Sequence, residues 1–164
     1  MTQEVAASIM IALAVVLLAL AGWGWRNRRH RFAHLEAHLI RAVPSSLSVY
    51  ECSGLYVATT VAGSPMDRVP VGPLSYRAKA QFSLHPEGLV ISAQGESPVL
   101  LTAPTGIDAG AATWTIDRVV EPDGLVMIRW LLGDVAVDSY VRIVESDSQA
   151  FIDTINALKG NTST

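Results

Sequence analysis

A chain of 164 residues with net charge −3, 50% hydrophobic side chains and a single cysteine holds one domain of ordinary size beside any further segment, and it excludes an internal disulfide. The charge is uneven: residues 26–44 carry five arginines against Glu36, which leaves +4, whereas residues 45–164 carry seven Lys/Arg against thirteen Asp/Glu, which leaves −6. An acidic body repels phosphate backbones, so no nucleic-acid partner is expected.

The first element is the run 5–25, twenty-one residues without a charge and with Ser8 as the one hydroxyl. That is too apolar and too long for a soluble helix, and at about 1.5 Å per residue it covers roughly 30 Å, the thickness of a bilayer's hydrocarbon core. Trp23 and Trp25 close it, placed for headgroup level, and Arg26, Arg28, Arg29 and Arg31 crowd its C-terminal flank while no cation precedes it. The bias of cations toward the cytoplasmic side then puts the N-terminus outside and the remainder of a single-pass inner (plasma) membrane protein in the cytoplasm. Ala19-Leu20-Ala21 has the small-x-small form of a cleavage site. A positive n-region is missing, however, and the following arginines oppose translocation, so an uncleaved anchor is expected. Ser8, Ala12, Ala19 and Gly22 fall near one stripe, which permits a homodimer through the span; membrane lipids are the anchor's other partner.

From Arg31 onward Phe32, Leu35, Leu39 and Val43 recur at helical spacing until Pro44, so a basic juxtamembrane amphipathic helix is expected within 26–46, after an anchor at 1–25. His30, His34 and His38 recur every four residues, one face of a helix, and two such imidazoles can chelate a transition metal. No Cys or Asp completes the set and the neighbouring arginines repel a cation. A solvated face is the competing reading, and no metal or other cofactor is expected.

The period changes to alternation from Ser48, and strands are expected over 53–61, 77–85, 88–93, 98–103, 113–120, 125–132 and 135–144. Turn residues such as His85-Pro86-Glu87-Gly88 and Glu121-Pro122-Asp123-Gly124 make the pairing mostly antiparallel. The segments 62–74, with a short edge strand at 67–71, and 104–112 read as irregular connections. A C-terminal helix starts at Ser146, which with Gln149 has the form of a capping box, and buries Phe151, Ile152, Ile155 and Leu158. Gly160 caps it and 161–164 is a tail. The fold class is thus an N-terminal transmembrane helix plus a mainly-β domain over 47–160, about seven antiparallel strands in a small barrel or sandwich with a C-terminal helix.

Gly54-Leu55-Tyr56-Val57-Ala58-Thr59-Thr60, Gly63, Met66-Asp67-Arg68-Val69, Gly72-Pro73-Leu74, Arg77-Ala78, Gly88-Leu89-Val90-Ile91, and Trp130-Leu131-Leu132-Gly133 with Asp138 resemble the bacterial PH-like membrane proteins of actinobacteria. These are chains with one N-terminal span and one cytoplasmic PH-like domain, many labelled transporter or export protein. The resemblance implies a pleckstrin-homology-like barrel and brings no catalytic residues with it.

Nucleophile elbows, phosphate loops, dinucleotide fingerprints and H-E-x-x-H zinc motifs are missing from the sequence. Asp117, Asp134, Asp138 and His85 sit near strand ends and turns, where solvated or capping roles prevail. The expectation is therefore a non-catalytic adaptor, not an enzyme, whose PH-like domain recognises a protein partner at the membrane. Alternatives are a lipid-headgroup or small-ligand sensor using Arg68, Arg77 and Lys79, and a membrane-recruiting accessory subunit of a cytoplasmic enzyme. Tyr50, Tyr56, Tyr76, Tyr140, Trp114 and Trp130 are the large side chains that could anchor a protein contact, although alternation buries several of them and Trp130, beside Ile128 and Leu131, reads as core.

Overall fold

A computed structural model describes residues 3–102, 106–112, 124–144 and 146–160. The chain divides into two units, Met1–His34 and Leu35–Thr164. The first is dominated by helix α1 (Gln3–Phe32), 30 residues or about 45 Å of axis. Over residues 5–25 its apolar side chains are uncovered on every side: Leu18 is 73% and Trp23 70% exposed, with Ile11, Leu13 and Leu20 also exposed. By length and composition α1 is long and apolar enough to cross a membrane.

The helix expected over 31–43 is broken. The α-helix stops at Phe32, a 3-10 helix takes Ala33–His38, and an extended stretch follows in which Ile40 forms an isolated bridge with Leu100. Burial explains this: Leu35 and Leu39 are sunk in the second unit, whereas Val43 is exposed. Leu39 rests against Gly72, whose φ of 45° suits glycine and whose missing Cβ leaves room for the leucine.

Among the described residues eight strands form one sheet: β1 (Tyr50–Val61), β2 (Ser64–Arg68), β3 (Ala78–His85), β4 (Gly88–Ala93), β5 (Val99–Thr102), β6 (Asp108–Ala112), β7 (Leu125–Leu132) and β8 (Val135–Ile143). The order is β5-β4-β3-β1-β8-β7-β6, all described pairs are antiparallel, and β2 pairs with β1. Helix α2 (Ser148–Gly160) follows. Phe151 of α2 lies 5.9 Å from the Phe82 ring on β3, while Asn156, five residues on, hydrogen-bonds β6. In a flat sheet β3 and β6 would stand four strand spacings, about 19 Å, apart; five helical residues span about 7.5 Å. The sheet is therefore curled, and α2 closes the barrel-like body at one end. Phe82, Leu84, Leu89, Ile91, Leu101, Ile128, Leu132, Phe151 and Ile155 fill it.

Three local expectations change, and a fourth lies outside the described residues. The strand expected at 67–71 is β2, three residues earlier, because Gly63 at φ 75° turns the chain directly after Val61 and pairs it with Ser64; Pro70, without an N–H, follows the strand. Within 104–112, Asp108–Ala112 is strand β6, which the Ala/Gly-rich sequence hid because its pairing with β7, not its own propensity, makes it a strand. The strand expected over 113–120 lies outside the described residues. The α2 cap is Asp147, whose Oδ1 accepts from the Gln149 N–H at 2.8 Å, while the Gln149 amide donates to Asp153 instead of turning back to Ser146.

Candidate functional site

Strand β1 changes face halfway. Tyr56 opposes Val141 and Ala58 opposes Tyr140, so Val57 is an extra residue, a β-bulge. The bulge carbonyl accepts from Arg68 Nη2 at 3.4 Å. Before it, Cys52 and Tyr56 point inward and Ser53 and Leu55 outward; after it, Thr59 points inward beside Ser139, and Thr60 outward beside Asp138. The insertion thus places hydroxyls on both faces of the second half of β1.

Inside the barrel these hydroxyls form a closed chain. Trp130 Nε1 donates to Ser139 Oγ at 2.9 Å, Ser139 and Thr59 share a 2.6 Å contact, Thr59 and Tyr56 Oη are 2.8 Å apart, and Tyr56 Oη lies 2.9 Å from the Leu74 carbonyl. The indole can only donate and the carbonyl can only accept. One proton per hydroxyl therefore satisfies the whole chain, running from Trp130 to Leu74. Burial pushes the Tyr56 phenol well above its ordinary range, and burial likewise lifts the Cys52 thiol to about 11. Both are structural groups in their neutral forms.

On the outer face beyond the bulge, opposed residues form the row Asp108, Arg129, Asp138, Thr60, Arg68 across β6, β7, β8, β1 and β2. Arg129 grips the buried Asp138 carboxylate through Nε at 2.7 Å and Nη2 at 3.0 Å. The Asp138 hydrogen bonds and charge raise the Arg129 pKa. Asp138, one of the carboxylates near a strand end, is thereby committed to an ion pair.

Before the bulge the same face is open. A groove of about 630 Å³ is lined by Ser53, Gly54, Leu55, Lys79, Ala80, Gln81, Ser92, Gln94 and Val144. Ser53 opposes Gln81, which opposes Ser92, a row of neutral hydrogen-bonding groups; Leu55 opposes Lys79 on β3 and Arg142 on β8. Gly54 lets the strands close up here, since a Cβ would run into the Arg142 carbonyl oxygen. Val144, 63% exposed, adds a second apolar side chain.

The sequence-based candidates separate accordingly. Lys79 lines the groove; Arg77 is exposed just before β3; Arg68 is half-buried and turned to the Val57 carbonyl, with its Nε buried and unpartnered, so the three do not converge in one pocket. Arg142 belongs to the outer face with Lys79 and was missed, because its distance in sequence hides a register that only strand pairing reveals. Among the proposed anchors Tyr56, Tyr140 and Trp130 are buried, Tyr76 is 66% exposed, and Trp114 lies outside the described residues, as does Asp117. On α1, Trp23, Trp25, Arg26 and His30 are exposed and the Arg31 guanidinium lies 5.2 Å from the Phe32 ring centroid; the side chains of Arg28 and Arg29 lie outside the description. His34 and His38 fall in the 3-10 helix, where residues three apart eclipse, so the spacing of four no longer gives one face. His38 instead packs its ring on Gly133, and no cluster of three metal-ligating side chains occurs among the described residues.

Each edge strand has one residue whose backbone is already bonded. Leu100 N–H of β5 donates to the Ile40 carbonyl at 2.8 Å, and the Asn156 amide accepts from Ala109 N–H at 2.9 Å and donates to its carbonyl at 3.0 Å on β6. No curated protein matches the sequence. A family described as bacterial PH domain-like matches residues 38–157.

Proposed function

The chain belongs to the bacterial PH domain-like family, and from that premise we propose that it is a non-catalytic, membrane-anchored binding protein whose PH-like domain recognises a protein partner. In this reading α1 crosses the inner membrane with the N-terminus outside, and the domain works at the cytoplasmic surface as an adaptor or as the recruiting subunit of a cytoplasmic enzyme. The observation that carries it is the outer groove of β1, β3 and β4, which offers apolar contact at Leu55 and Val144 rimmed by Ser53, Gln81, Ser92 and Gln94. Strand addition is a poorer mode, because Ile40 and Asn156 already hold backbone groups of the two edge strands. A headgroup sensor built on Arg68, Arg77 and Lys79 is weakened by the commitment of Arg68 to the bulge.

The test is site-specific photo-crosslinking of the full-length chain in its native membrane, with the photoreactive residue at Leu55 and, as control, at the exposed Ala136. A discrete protein adduct at position 55 alone is expected; lipid adducts only, or none, overturn the reading. Topology is tested separately with Cys52→Ser and Glu4→Cys, where an impermeant maleimide should label intact cells.

A further inference from the structure

We infer that the groove reads acidic protein segments, through two cations that bracket Leu55. This deepens the proposed function and rests on it. Lys79, Leu55 and Arg142 stand directly opposite one another on β3, β1 and β8, on one face of the sheet. Their outer members are two strand spacings apart, about 10 Å. Both are exposed.

Unlike Arg129, Arg41 and Arg68, and like the exposed Arg77, these two cations are not engaged by another described group. Arg129 holds Asp138, Arg41 holds Glu36 at 2.8 Å, and Arg68 caps the bulge carbonyl. Among the described residues no carboxylate lies within ion-pair distance of Lys79 or Arg142. Glu51, the nearest acid along the same face of β1, accepts a hydrogen bond from Ser48 and is four residues from Leu55. From residue 45 onward the chain carries thirteen carboxylates against seven cations, so two cations with no ion partner among the described residues beside an apolar spot are a local reversal of the domain's field. Such a reversal selects acidic partners and disfavours a second copy of this acidic domain. The separation by Leu55 also chooses between acidic ligands. Two cation bases held about 10 Å apart with a leucine between them suit two carboxylates flanking an apolar side chain, rather than a single phosphate.

The experiment uses the full chain in neutral phosphatidylcholine nanodiscs and two fluorescein-labelled Gly/Ser peptides, one with a Glu-Leu-Leu-Glu centre and one with Lys-Leu-Leu-Lys. Saturable anisotropy is expected with the acidic probe alone. Combining Lys79→Glu with Arg142→Glu should weaken it about tenfold or more, and combining Lys79→Arg with Arg142→Lys should keep it within about twofold. Circular dichroism of both variants confirms that each is folded. Equal binding of both probes, no binding of the acidic one, or indifference to charge reversal overturns the inference. So does displacement of the acidic probe by phosphatidylglycerol vesicles, which would make the groove a headgroup site. Loss of acidic selectivity alongside a protein adduct at Leu55 would defeat this inference and leave the proposed function standing.

Discussion

The two halves of the β1–β8 pair present the same sheet face to opposite effect. Beyond the Val57 bulge, Thr60 and Asp138 are buried on the outer face and Asp138 is gripped by Arg129. Before it, Leu55 is half-buried and the flanking Lys79 and Arg142 are exposed, with no ion partner among the described residues. A charge on a sheet face is thus structural or available according to whether the register sets an opposite charge beside it.

The comparison is sharpest at Arg129. Replacing it with Ala leaves the Asp138 carboxylate, 4% exposed, without its counter-ion, and should cost about 3 kcal/mol in chemical denaturation of the detergent-solubilised chain. A loss below about 0.5 kcal/mol, the level of an ordinary surface change, would erase the distinction between the halves. Tyr56→Phe removes one link of the buried hydroxyl chain and leaves the Leu74 carbonyl and Thr59 short of a partner, with an expected cost of about 2 kcal/mol. The same inner face responds to alkali. Burial raises the Cys52 thiol from 9.0 to about 11, so above pH 9 the unfolded chain releases a proton that the folded chain keeps. Stability from this source is complete below pH 9.0 and is lost as the pH rises toward about 11. Denaturation midpoints of wild type and Cys52→Ala across that range should converge as the wild-type curve falls. Asn156→Ala frees both backbone groups of Ala109 and should cost about 1 kcal/mol, with faster amide exchange at Ala109 than at its neighbour on β7. Smallest of all, Lys79→Glu with Arg142→Glu should change stability by less than about 0.5 kcal/mol, as expected of exposed cations outside the fold's ion pairs.

Legibility in the sequence followed the range of the interactions. The span at 5–25, the hairpin turn before Gly88 and the amphipathic α2 are written in local composition and period, and the structure carries α1, the β3–β4 hairpin and α2 there. Strand β6 was illegible because Asp108-Ala109-Gly110-Ala111-Ala112 has neither alternation nor β-branched residues and owes its state to β7. The 3-10 segment Ala33–His38 was read as α-helix because its leucines keep helical spacing while their burial is decided by a distant surface. Arg68 was grouped with Arg77 and Lys79 by proximity in sequence, yet one inserted residue at Val57 drew it to a backbone carbonyl.

What the sequence determined by itself was therefore the helix long and apolar enough for a membrane, the mainly-β body with its closing helix, and an acidic domain beside a basic flank. Period, propensity and net charge are sums over neighbours along the chain and need no fold to be evaluated. Only the tertiary structure decided that the bulge at Val57 turns Thr59 inward, that Asp138 meets Arg129, and that Lys79 and Arg142, 63 positions apart in number, bracket Leu55. Those relations depend on strand register, in which one inserted residue exchanges the faces of everything that follows it.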